Sequence, residues 1–190
     1  MKKVALFLVL GIFLMGFVFA QGQGTNEQDN QMAASKQIKA GNYIGEDNQQ
    51  IQIQSEANNR IRIKAGNISA NCDLNLTQEQ VQNKTKLKVA LSNGRNAEIK
   101  IMPDTASETA LAKLKLKVCS EENNCSIELK EVMQAQEEKV AYEMTAKKPA
   151  KFLGLFKTQM KVQAQINAED GEIIRINKPW WSFLASEQEE

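Results

Sequence analysis

The chain has 190 residues, with 24 Lys and Arg against 23 Asp and Glu and no histidine at all. So even a balance lacks the clustered positive field that nucleic-acid binding requires. The absent histidines remove the commonest general base and the commonest metal ligand together, leaving a cysteine protease or a zinc enzyme little to work from.

Lys2 and Lys3 precede an apolar run from Val4 to Phe19 that closes on Val18-Phe19-Ala20. This arrangement reads as a secretory signal helix over 1–20, with small residues placed for cleavage after Ala20. The alternative is a retained anchor, since the run reaches the lower length limit for a spanning helix. Cleavage would remove two lysines and no acid, leaving 22 basic residues against 23 acidic. The expected location is secreted or cell-envelope, with membrane contact only if the segment is kept. Residues 21–40, rich in Gln, Asn and Gly, read as a disordered polar leader.

Residues 41–103 form a β-rich N-terminal half. Ile51 and Ile53 alternate with glutamines, Ile61 and Ile63 with Arg62 and Lys64, and Leu74 and Leu76 with Asp73 and Asn75. Each is a period-two signal for a strand wet on one face. Asn58-Asn59 and Ser92-Asn93-Gly94-Arg95 supply turns, the second joining Leu87–Leu91 to Ile99–Met102 as a hairpin. Thr77-Gln78-Glu79-Gln80 reads as a weak capping box opening one short turn. The lysines of Lys86-Leu87-Lys88-Val89 and of Lys113 to Val118 alternate with apolar residues, as on the wet side of a sheet.

Thr105 followed three residues on by Glu108 forms a stronger capping box. With Ala106, Ala110, Leu111 and Leu114 at helical spacing, it predicts a helix over about 106–115. Leu114, Leu116 and Val118 also alternate as a strand would, so the crossover point stays open. Three strand candidates follow, Ser126 to Val132, Val140 to Ala146 and Thr158 to Ile166, then a tight Asp170-Gly171 turn and Glu172 to Ile176. The fold class is α+β, a predominantly antiparallel sheet with one main helix beside the N-terminal signal helix.

The segment from Val162 to Ile174, with its Asn167-Ala168-Glu169-Asp170-Gly171-Glu172 turn, and the preceding Val140-Ala141-Tyr142-Glu143-Met144 resemble the end of a PepSY module. The resemblance covers roughly residues 104–176, within a region of helix plus antiparallel strands over 104–178, and departs from the family at Asn167, where Asp is usual, and at the Gly154-Leu155-Phe156 insert. It implies an extracytoplasmic binding or inhibitory module of the kind attached to protease propeptides, without catalysis of its own. The whole chain also resembles small exported archaeal proteins of uncharacterised families, which share an asparagine-rich sheet, a Ser-Asn-Gly-Arg turn and a closing Pro-Trp-Trp segment.

Cys119 and Cys125 enclose a polar five-residue stretch that would serve as a hairpin loop between two strands, and export would keep a disulfide there closed. Cys72, left over, reads as a buried small hydrophobe rather than a reactive thiol. The acid pairs Glu121-Glu122, Glu137-Glu138 and Glu169-Asp170 point apart instead of converging on a substrate. Sequons at Asn67, Asn75 and Asn83 are candidate glycosylation sites, while a fourth, at Asn124, adjoins a disulfide cysteine. In the segment 179–190, Trp180, Trp181 and Phe183 precede an acidic tail. These rings read as a cap folded over an open end of the sheet, or as an exposed anchor for a partner or a membrane interface. Gly154-Leu155-Phe156 invites the same pair of readings.

No catalytic, cofactor-binding or metal residue is assigned. The functional expectation is a secreted or envelope-associated, non-catalytic binding module, in its most specific form a PepSY-like protease modulator. A structural or adhesive envelope glycoprotein is the alternative. The expected partner is a protein, either a protease or an envelope component.

Overall fold

The computed structural model describes residues 36–57, 60–120 and 124–187. The signal segment, most of the leader and the Asn58-Asn59 turn lie outside these described residues. In chain order the strands are β1 (Lys36–Gln37), β2 (Gly41–Ile44), β3 (Gln50–Ser55), β4 (Ile61–Ala65), β5 (Ile68–Cys72), β6 (Leu76–Val81), β7 (Lys84–Ala90) and β8 (Asn96–Ile99). The helix α1 (Pro103–Leu114) is followed by β9 (Ser126–Gln134), β10 (Glu137–Phe152), β11 (Phe156–Asn167) and β12 (Ile173–Asn177). A 3-10 helix (Trp180–Leu184) then leads into β13 (Ala185–Glu187).

Two sheets form among the described residues. The larger has nine strands in the order β12-β11-β10-β9-β5-β4-β3-β2, with β13 on β10; the smaller runs β1-β6-β7-β8. The large sheet is two antiparallel meanders joined where β5 and β9 run parallel, Asn71 opposite Glu128 and Cys72 opposite Leu129. That junction makes the sheet mixed, within the predominantly antiparallel pairing expected of it. A parallel pair requires a long crossover. Here the crossover, residues 73–125, carries β6 to β8 and α1, which form the second layer over one hydrophobic core.

The alternating apolar residues close that core. Ile51, Ile53, Ile63, Ala65, Ala70, Cys72, Leu129, Tyr142, Met144, Met160, Val162 and Ile166 are all buried on the inner face of the large sheet. From the second layer Leu76, Leu87, Val89, Ala97 and Ile99 meet them. The helix turns Ala106, Ser107, Ala110 and Leu114 inward and packs on β11, β5, β10 and β4. Three of these four are small, so the helix backbone can approach the sheet closely.

Several expectations are corrected. Thr105 does not cap the helix: Pro103 occupies its first turn behind Met102, because the fixed φ of proline suits that position and its missing N–H costs nothing there. The Thr77 capping box is strand β6, held by its register with β7. Lys113 to Val118 is no sheet face. Lys115 sits in the left-handed conformation that ends α1, and the Leu116 N–H bonds back to the Leu111 carbonyl at 3.0 Å, a Schellman-type closure. The leader gives its last residues to the fold, since β1 pairs with β6 and Ile38 is buried. Leu74 lies between strands. In the hairpin after β7, β8 ends at Ile99, which leaves Met102 to the helix.

Candidate functional site

The strands β10 and β11 run past the rest of the sheet. β9 covers β10 only as far as Thr145, and β13 takes up the same edge from Ala150 to Phe152. The far portion of the hairpin is therefore an arm, braced on one side by three residues of the C-terminal segment. Its turn is Leu153-Gly154-Leu155, with the Leu155 N–H bonded to the Phe152 carbonyl at 3.1 Å. Leu153 and Gly154 have φ of 51° and 74°. Glycine adopts such values freely, but a leucine there costs roughly 1–2 kcal/mol.

The C-terminal segment crosses to this arm. Trp181 meets Phe152 edge-on at 6.0 Å between ring centroids, and the Leu153 N–H bonds to the Leu184 carbonyl at 2.9 Å. The capping reading thus holds for Trp181 alone. Trp180 and Phe183 stay 79% and 76% exposed, and Leu155 and Phe156 beside them 78% and 65%. A 3-10 helix has too few turns to bury more than one face of itself, so the remaining rings point outward. Phe152, Phe156, Thr158, Trp180 and Trp181 wall an open cleft of about 440 Å³.

The other predicted residues are dispersed. Cys119 and Cys125 are bonded, with Cα atoms 5.1 Å apart, but Cys119 follows the helix instead of a strand. The bond therefore ties the exit of α1 to the start of β9, and does not close a hairpin. Asn67, Asn75 and Asn83 are all exposed, each at or beside a turn, and do not converge. Cys72 is buried, and that burial pushes its thiol up to about 11, too high for a nucleophile at neutral pH. Tyr142 lies beneath the helix with its hydroxyl unpaired, and burial raises its pKa well above the usual value.

A second cleft, of about 640 Å³, lies where β2 and β3 approach the first turn of α1. Asn42, Gln50, Gln52 and Lys64 line it beside Asp104. The Asp104 carboxylate is already engaged, accepting the Thr105 N–H at 2.9 Å and the Gln49 side-chain amide at 2.5 Å. It serves the positive end of the helix. Among the described residues no three of His, Cys, Asp and Glu gather closely enough to hold a metal ion.

Comparison with protein families, curated proteins and solved structures yields no match for this chain. The hairpin tip with its C-terminal brace is thus the site that the geometry itself singles out. Sequence reasoning named its rings but not their partner, because nothing local says that residues 180–187 return to residues 150–156.

Proposed function

We propose that this protein is an exported, non-catalytic binding module that presents the tip of the β10–β11 arm to a partner. The observation that carries the reading is the exposure of Leu155 and Phe156 at the turn and of Trp180 and Phe183 on the 3-10 helix that leads into its brace. Exposed apolar clusters of this kind mark interaction surfaces, whereas apolar residues scattered singly need no explanation. The lysine-led apolar start of the chain and the Cys119–Cys125 bond support an oxidising, extracytoplasmic setting. No helix among the described residues is long and apolar enough to cross a membrane.

The PepSY-like form of this reading draws support from the order of α1, β9, β10 and β11, a helix followed by antiparallel strands. It would make a protease the partner. The structural or adhesive reading draws on the exposed sequons at Asn67, Asn75 and Asn83. Expressing the full chain in an exporting host, then fractionating and mapping its thiols, tests the proposal. Recovery outside the cytoplasm with Cys119 bonded to Cys125 is expected. Intact chain in the cytosol with both thiols reduced would overturn it.

A further inference from the structure

We propose that the arm is a bilayer-docking device whose tip enters the interfacial layer of an anionic lipid membrane. This deepens the functional reading above and rests on it, because an exported or envelope protein would meet an outer or envelope lipid surface with its folded domain. Three features of the arm, independent of one another, point to the same occupant.

The first is charge. On the outer face of the arm, Lys147 stands directly opposite Lys161, and Lys151 opposite Lys157, with Pro149 and Gln159 between. Like charges directly opposed across strands are destabilising. None of the four lysines has an ion pair among the described residues. Glu143, the nearest acid along β10 on that face, is already held by Lys130 at 2.9 Å and Gln165 at 2.7 Å. On the brace strand, the residue in register with Lys151 is Ser186. The rung at the tip, Lys151 against Lys157, thus has no acid within ion-pair range among the described residues, and the rung behind it has only the through-space attraction of Glu143 for Lys161.

The second is the tip itself. Leu153 is half exposed in a left-handed turn position that asparagine or glycine would fill at less cost, and Leu155 and Phe156 follow it into solvent. A water-facing turn gains nothing from three such side chains. A turn that enters the acyl boundary gains from every one.

The third is the arrangement of the two sets. Trp180 and Phe183 flank the tip on the side of the C-terminal brace, and the lysines begin at the rung just behind it. The second lysine rung lies four residues further back, roughly 13 Å at strand spacing. Aromatic rings at the headgroup boundary with lysines behind them are what an interfacial contact with anionic lipid requires. A protein partner would not need cations spaced away from the apolar contact along one strand pair.

The chain contains two tryptophans, and both lie in this site, so their emission reports the arm and not the apolar N-terminal segment. Full-length protein is titrated with vesicles of equal phosphatidylcholine and phosphatidylglycerol, with and without brominated acyl chains. A blue shift of the emission and quenching by the brominated lipid are expected. Both should weaken strongly in pure phosphatidylcholine. Because each lysine near an anionic surface contributes about fivefold, Lys151→Gln with Lys157→Gln should lower partitioning about twenty-five-fold. Leu155→Ser with Phe156→Ser should abolish quenching while the circular dichroism and the disulfide stay unchanged. Co-sedimentation with vesicles while the tryptophan emission stays unshifted would assign membrane contact to the N-terminal segment alone and overturn the proposal. An emission shift of equal size on zwitterionic vesicles would overturn its electrostatic half. An exported, correctly bonded protein with silent tryptophans leaves the functional reading standing and removes only this one.

Discussion

Along the outer face of β10 and β11, two regions of one strand pair follow opposite rules. In the body of the sheet, Glu143 faces Gln165 and is bonded to it at 2.7 Å, while Thr145 faces Gln163 and accepts its amide at 3.1 Å. Beyond Thr145, where β9 stops, the rungs become lysine against lysine. The inner face changes nearer the tip: Tyr142, Met144, Ala146, Lys148 and Ala150 lie buried, whereas Phe152 meets Trp181 edge-on and Phe156 is exposed. The body satisfies the rules that make a sheet fold, and the arm breaks several of them within a dozen residues. Local rule-breaking with no gain in stability marks a surface kept for binding.

Substitutions of matched kind should split along that boundary. Ile166→Ala, in the fully buried inner face of the body, should cost about 2–5 kcal/mol in a urea titration. Phe156→Ser, in the arm, should stay within about 0.5 kcal/mol of the parent. Equal losses at both sites would show that the arm is part of the folding core and not an appendage to it.

The disulfide is the next largest effect. Replacing Cys119 and Cys125 together with serine should lower stability by about 2 kcal/mol, the chain-entropy value for so short a loop. Cys72 should remain unreactive in the folded state of that variant, because burial holds its thiol protonated. A non-reducing peptide map that joined Cys72 to either neighbour would contradict the pairing. Within the brace, Trp181→Ala should cost about 1 kcal/mol through loss of the edge-on contact with Phe152, and Trp180→Ala almost nothing. Thermal melts of the two variants read that difference directly.

What the sequence reveals and what it conceals divide by the distance between partners along the chain. Period-two alternation locates β3, β4, β7, β9, β10 and β11 because each buries one face, and the Asp170-Gly171 turn follows from glycine's freedom at φ of 79°. Pairing between distant segments leaves no such trace. The β5–β9 junction, the return of β13 to β10 and the strand at Thr77 all depend on partners far along the chain. The site was half legible for this reason. Composition pointed to Trp180, Trp181 and Phe183, yet the lysine rungs exist only once Lys147 and Lys161, or Lys151 and Lys157, are known to stand opposite.

Acid should weaken the body before it touches the arm. Burial alone would raise the pKa of Glu143, but Gln165 and Lys130 outweigh it and hold the carboxyl below the ordinary value. Glu131 is lowered by its hydrogen bond from Ser92, and Asp73 by its pairing with Arg60. A depressed carboxylate lends stability that is fully present above the unfolded pKa, about 4, and is lost as pH falls through the folded value. Melting temperature should therefore hold from pH 7 to about 5 and decline below it. Glu143→Gln should lower the plateau and flatten the decline. Glu143 also attracts Lys161 of the rear rung, whereas the Lys151–Lys157 rung has no ion pair among the described residues, so the contribution of that rung should not change over this range.

The smallest change in stability is the most discriminating, because its sign runs against its effect on binding. Lys157→Glu converts the rung opposite Lys151 from like to unlike charges, which should stabilise the fold by a few tenths of a kcal/mol, within the usual range for cross-strand pairs. The same substitution places a negative charge just behind the tip and should impair partitioning onto anionic vesicles more than Lys157→Gln does. A residue retained only for folding would not be improved by its opposite. If Lys157→Glu instead destabilises the protein, the rung is already neutralised by some group of this chain, and the arm has no unmet charge to offer a membrane.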